Sequence, residues 1–224
     1  MLQKTKTMKQ IPIAVIMPSR GLPFARTIEW VEKQRKTYPI ELFMSHDLTI
    51  PECFNRLVTK ALKGKFVYLL FLEDDIVPPN NAIDKLIEGM SWGQITCIDY
   101  PFRGGISTVS KDKEGEVMSC GTGCMLVSRN IFDHIEKPYF RSDRKYDWQT
   151  QKWSRVDPHK VYGLQDMWFT YICRHFGYRI YQVKGECKHL GLTKLAKPNT
   201  NMGCHYIGER PKISQKLIRI DKYI

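Results

Sequence analysis

The sequence predicts an α/β protein: one domain built on an open, mostly parallel central sheet with helices on both faces. Three observations carry this. Short apolar runs alternate with stretches of helical spacing through most of the chain, the pattern of strand–helix–strand units joined by right-handed crossovers. The run Phe66-Val67-Tyr68-Leu69-Leu70-Phe71-Leu72 is apolar throughout, as a parallel strand covered on both faces must be. The chain has 224 residues, 42% hydrophobic and 26% charged, enough for one substantial core and short for two.

Taken in order, Ile11 to Met17 is apolar and β-branched and ends in Pro18-Ser19-Arg20-Gly21, a strand followed by a turn. Phe24 to Thr37 reads as a helix on the spacing of Ile28 and Val31, and Ile40 to Met44 as a second strand. Pro51 to Leu62 places Phe54, Leu57, Val58, Ala61 and Leu62 on one helical face. The strongest strand, Lys65 to Leu72, stops at Glu73-Asp74-Asp75. Asn81 to Met90 is the next helix and Ile95 to Tyr100 the next strand. The glycines of Phe102 to Val117 indicate a hairpin or loop, and Met125 to Val127 a strand core. Lys137 to Lys160 is charged and aromatic without a period; a segment of that length reads as a flexible loop, a functional lid or a disordered stretch. Leu164 to Phe176 is helical and Tyr178 to Val183 a strand. The expected organisation is a basic extension over 1–10, a domain over 11–208 and a basic tail over 209–224.

Lys and Arg number 35 against 23 Asp and Glu, a formal net charge of +12. Such a surplus attracts polyanions. The start of the chain carries Lys4, Lys6 and Lys9, and the apolar run after it is short and contains Pro12, which does not make a secretory signal. No stretch approaches the roughly 18 apolar residues of a membrane span. Seven cysteines, an odd number scattered among strand-like and helix-like segments, indicate reduced thiols and a cytoplasmic setting.

Chemistry concentrates at Glu73-Asp74-Asp75. In open α/β sheets ligands gather beyond the carboxyl ends of the strands. Three adjacent acids there repel one another unless a cation neutralises them, and a hard divalent ion such as Mg2+ or Mn2+ suits oxygen ligands and diphosphates.

Phe71-Leu72-Glu73-Asp74-Asp75-Ile76-Val77-Pro78 resembles the DxD region of GT-A-fold glycosyltransferases, especially the family-2-like branch. The family pattern is Asp-any-Asp, whereas Glu73 stands first here, which leaves the division of roles among Glu73, Asp74 and Asp75 open. Four further segments resemble the same family in the same order. Pro18-Ser19-Arg20-Gly21 resembles its opening nucleotide-binding turn. Gly121-Thr122-Gly123-Cys124-Met125 resembles the glycine-containing strand beneath the donor sugar. Gly163-Leu164-Gln165-Asp166-Met167 resembles its Glu-Asp motif, with Gln165 in place of the first acid. Cys187-Lys188-His189-Leu190-Gly191 resembles its late His motif. The size and motif order are similar to those of small phage-type members.

The resemblance implies donor contacts from Pro18, Ser19, Arg20, Glu73, Asp74, Gly123 and Cys124. It implies metal ligation by Asp75 and His189, a general base at Asp166, and an acceptor-side position for the loop over 137–160. The expected reaction is inverting, Mn2+- or Mg2+-dependent transfer of a hexosyl or pentosyl group from a nucleotide-sugar, a UDP-sugar in first place. The charge surplus favours nucleic acid as acceptor, and the resemblance to small phage-type members implies a hydroxymethylated DNA base, with a lipid or cell-envelope glycan as the alternative. A nucleotidyltransferase would carry a Gly-rich, Arg- and Lys-bearing loop after the first strand, and Pro18 to Pro23 matches it poorly. A non-enzymatic nucleic-acid-binding protein accounts for the charge but not for an acid cluster ending a buried strand. Cys187, His189, Cys204 and His205 are zinc-capable but lack a standard finger spacing.

Overall fold

The computed structural model describes residues 10–19, 21, 23–46, 48–101, 105–147, 152–157 and 164–190. Arg20, Gly191, Cys204, His205 and the basic tail lie outside the described residues, as does the N-terminal extension apart from Gln10.

Strand β1 (Ile13–Pro18) is buried along its whole length. It pairs in parallel with β2 (Ile40–Ser45) on one side and β3 (Tyr68–Leu72) on the other. Beyond β3 come β8 (Cys124–Ser128), β5 (Ile95–Asp99) and β11 (Ile180–Glu186), giving the six-stranded order β11-β5-β8-β3-β1-β2. β5 and β11 are parallel, whereas β8 runs against both β3 and β5. The reversal has a topological cause. After β5 the chain forms a small hairpin of β6 (Ser110–Lys111) and β7 (Val117–Ser119) and re-enters the sheet without a crossover helix, so the returning strand runs the other way.

Alternation along the central strands divides the core into two layers. Ala14, Ile16, Leu69 and Phe71 face one layer, with Phe54, Leu57 and Val58 of α2 (Ile50–Ala61) and Phe169 and Cys173 of α4 (Leu164–His175). Ile13, Val15, Met17, Leu70 and Leu72 face the other, with Trp30 and Val31 of α1 (Ala25–Arg35) and Ile83, Leu86 and Ile87 of α3 (Ala82–Gly89). Helices therefore cover both faces, as the sequence predicts. Helix α2 starts where a capping box dictates: the Thr49 hydroxyl and Glu52 carboxylate satisfy backbone donors of the first turn, and Pro51 needs none.

Within the segment 137–160, residues 137–147 and 152–157 are described, and they include core side chains and a hairpin. Tyr139 and Phe140 are buried. Phe140 stacks between Phe54 and Phe169, with ring centroids 4.7 and 4.6 Å away. Asn55 of α2 clamps it, accepting from the Phe140 N–H at 3.0 Å and donating to its carbonyl at 2.9 Å. Beyond it, β9 (Arg144–Asp147) and β10 (Lys152–Arg155) form an antiparallel hairpin. The beginning of the segment is thus core, and its aromatics fill volume rather than wait for a ligand. Phe140→Ala should destabilise the protein by about 3–5 kcal/mol, read as a lowered midpoint in urea. A loss below 1 kcal/mol would mark the segment as the peripheral loop its sequence resembles.

Candidate active site

The carboxyl ends of β1 and β3 lie side by side, which brings two turns together. Ser19, just past β1, is buried, and its hydroxyl donates to Asp74 Oδ2 at 2.7 Å. The Ser19 Oγ also accepts from the Gly21 N–H at 3.2 Å, and the Phe24 N–H donates to the Asp74 carbonyl at 3.0 Å. The turn after the first strand and the middle acid of the cluster are therefore one hydrogen-bonded unit. Pro18 is buried as the last residue of β1.

Glu73 accepts a 3.1 Å hydrogen bond from the Thr122 hydroxyl. Burial, then the charges of Asp75 and Asp166, push its carboxyl up to about 7. Thr122 lies in the glycine turn before β8, and that turn is fitted to Tyr100. The Gly123 N–H donates to the Tyr100 hydroxyl at 3.1 Å. A Cβ on Gly123 would sit 2.5 Å from the Tyr100 ring, so glycine is needed here for close approach. Gly123→Ala should cost about 1–3 kcal/mol through overpacking and displace Thr122 from Glu73. An unshifted melting temperature with unchanged activity would refute that account. Cys124 is fully buried among the core residues, so its side chain is part of the core.

A short ladder completes the cluster. β12 (Lys188–His189) pairs antiparallel with β4 (Ile76–Val77), His189 opposite Ile76, and the Leu190 N–H donates to the Asp75 carbonyl at 2.8 Å. This places His189 Nε2 3.2 Å from Asp75 Oδ2, with both side chains almost wholly buried. His189 Nδ1 lies 2.8 Å from the Pro101 carbonyl, which can only accept, so Nδ1 carries the proton and Nε2 is left to face the carboxylate. Burial works to lower the imidazole pKa, but the hydrogen bond and charge of Asp75 outweigh it and raise it.

Asp75 Oδ1 is buried without a hydrogen-bond partner. An orphaned carboxylate oxygen beside an imidazole whose other nitrogen is fixed by a carbonyl fits a divalent ion, since metal-binding histidines are commonly oriented in this way. Among the described residues no group of three or more His, Cys, Asp or Glu side chains forms a complete cage. The donor set thus fits an ion held by one carboxylate and one imidazole, with its remaining ligands supplied from outside these side chains.

Asp166 occupies the first turn of α4, and its Oδ1 accepts from the Met167 N–H at 2.8 Å. The side chain keeps a window to solvent but is densely surrounded, and this burial pushes its carboxyl up to about 7. Its charge reaches both Glu73 and Tyr100. The fold therefore gathers Ser19, Glu73, Asp74, Asp75, Gly123, Asp166 and His189 at one end of the sheet. Tyr100 and the role of Thr122 lie outside what the sequence motifs indicate. Tyr100 supports the glycine turn and meets the His189 ring edge-on at 5.8 Å; its only signal in the sequence is an aromatic residue closing an apolar strand.

No protein-family model matches the chain, and no characterised sequence matches it significantly. Solved structures do resemble it in fold. The crystal structure of A197 from STIV superposes with a TM-score of 0.57 at 18% identity, covering 78% of this chain and 82% of that one. The structure of GalNAc-T7 with UDP, GalNAc and Mn2+ superposes with a TM-score of 0.54 at 11% identity. It is matched over 80% of this chain, which spans only 44% of its length. At these identities the likeness establishes the fold, a GT-A-like α/β sheet.

Proposed function

We propose that this chain is a metal-dependent glycosyltransferase that moves a sugar from a nucleotide-sugar to an acceptor hydroxyl. The observation that carries the reading is the meeting of Asp75 and His189 at the end of a buried strand, with Asp75 Oδ1 unpartnered and a second carboxylate, Asp166, on a separate element.

Asp75 and His189 would hold Mg2+ or Mn2+, whose charge, when bound, offsets the negative charge developing on the departing diphosphate. Ser19, Asp74 and Glu73 would orient the donor, and so would Arg20, which lies outside the described residues. Asp166 would take the proton from the acceptor hydroxyl. A single displacement assisted by one base inverts the anomeric configuration. A UDP-sugar is the favoured donor, in keeping with the UDP, GalNAc and Mn2+ held by one structural neighbour. The test is a panel of nucleotide-sugars incubated with Mn2+ or Mg2+, scored by release of nucleoside diphosphate. Release from one donor is expected. No release from any donor, or release of pyrophosphate from a sugar phosphate and a nucleoside triphosphate, would overturn the assignment.

For the acceptor we favour a hydroxymethylated base in DNA, which places the enzyme in the cytoplasm. Support comes from the net charge of +12 and from the β9–β10 hairpin, which packs against α4 and carries Arg144, Lys145, Lys152 and Arg155. No helix among the described residues is long and apolar enough to cross a membrane. Mass spectrometry of nucleosides from DNA containing 5-hydroxymethylcytosine should show the added hexose or pentose. Unmodified nucleosides together with tight binding to anionic vesicles would move the acceptor to a lipid or envelope glycan.

A further inference from the structure

A second concavity opens away from the acid cluster, where β5 and β11 begin. It encloses about 470 Å³ between the turn joining β6 to β7 and the edge strand β11. Two large aromatic rings stand exposed in it, Trp92 at 66% and Tyr181 at 41%. They stack on each other with centroids 6.3 Å apart and planes 29° from parallel. Apolar rings left side by side in water mark a surface awaiting a flat partner.

Three cations line the same groove: Lys111, Arg174 and Arg179. Among the described residues none of them is ion-paired, although Glu114 and Glu116 also line the groove. Arg174 is half-buried, so its unmatched guanidinium is the more telling. A neutral glycan would use the rings and leave these cations unmatched. A simple anion would do the reverse. A nucleotide uses both, because its base has a π-face to stack and its phosphate a charge to neutralise.

We propose that this groove binds a nucleotide unit of a single-stranded nucleic acid. The base lies on the Trp92–Tyr181 platform, and the flanking phosphates meet Arg174, Arg179 and Lys111. Glu114 and Glu116, both exposed on the β6–β7 turn, repel the backbone from that side and direct the strand along the arginines. The proposal is independent of sugar transfer and is tested by binding alone.

The experiment is fluorescence anisotropy of a labelled twelve-nucleotide thymidine oligomer against the full chain over a series of salt concentrations. Trp92→Ala should weaken binding by roughly 5-fold to 150-fold, the range for loss of one stacked base, and Trp92→Phe should retain most of it. Arg174→Ala combined with Arg179→Ala should flatten the plot of log affinity against log salt by roughly 1.4, about 0.7 for each lost phosphate contact on a single strand. Thermal melts should match wild type in each variant. Three results would overturn the proposal: no binding at low salt, wild-type affinity in Trp92→Ala, or equally tight, equally Trp92-dependent binding of a sulfated glycan that has no base to stack.

Discussion

Asp166→Asn should lower sugar transfer by roughly 10²–10⁴-fold, the usual cost of losing a general base, and should leave donor affinity unchanged. Asn keeps the shape of Asp166 at the first turn of α4 but cannot accept the acceptor's proton. The pH dependence makes the expectation specific. Burial raises the Asp166 carboxyl to about 7, and the base works only when deprotonated. The wild-type rate should therefore fall about tenfold per pH unit below neutrality, and the residual rate of the variant should lack that limb. The same group affects stability with a definite sign. A carboxyl whose pKa is raised on folding contributes stability that is complete below its unfolded value near 4 and is lost as pH rises through about 7. At pH 8 the Asn variant should consequently melt higher than wild type, at about 2–4 °C for each kcal/mol recovered. Wild-type transfer rates in Asp166→Asn would place the base elsewhere. An unchanged melting temperature alone would show only that solvent reaches the carboxylate.

Asp75→Ala should have an effect as large on a different quantity. Removing partners that merely orient metal ligands costs 10–100-fold in metal affinity, so removing a direct ligand should weaken metal-dependent donor binding by at least about 100-fold. Isothermal titration with a UDP-sugar should show this in Mn2+, and the variant should match wild type when both are titrated in EDTA. The fold should survive, because the substitution removes one of three adjacent acids, and its charge is one of those that raise the Glu73 carboxyl. Undiminished affinity in Mn2+ would end the assignment of Asp75 as a ligand.

Much of this arrangement is legible before any coordinates. The apolar run ending at Leu72 fixes a strand buried on both faces, and three acids at its end mark the edge where ligands gather. Asp75, Asp166 and His189 come from motifs far apart in the chain, and the fold gathers all three at one end of the sheet. Other features leave no local trace. The reversed direction of β8 depends on how the chain returns after β7, not on Met125, Leu126 or Val127 themselves. Tyr139 and Phe140 are embedded among Lys137, Arg141 and Arg144, and Phe140 is held by Asn55, 85 positions away in sequence, while Tyr139 packs against Phe132. β4 and β12 are two residues each, too short for any periodicity. Tyr100 matters for what lies above it, a glycine turn more than twenty residues later.

The β4–β12 ladder also sets an order of assembly. Asp75 and His189 are 114 positions apart, and closing so long a span costs conformational entropy that local contacts do not repay early in folding. Most of the sheet, from β1 to β8, precedes His189 in the chain and can form without it. A ribosome has delivered the acid cluster long before it delivers the imidazole. During synthesis, then, a sheet bearing the acid cluster can form before one of the last described strands folds back over the first acid-bearing turn.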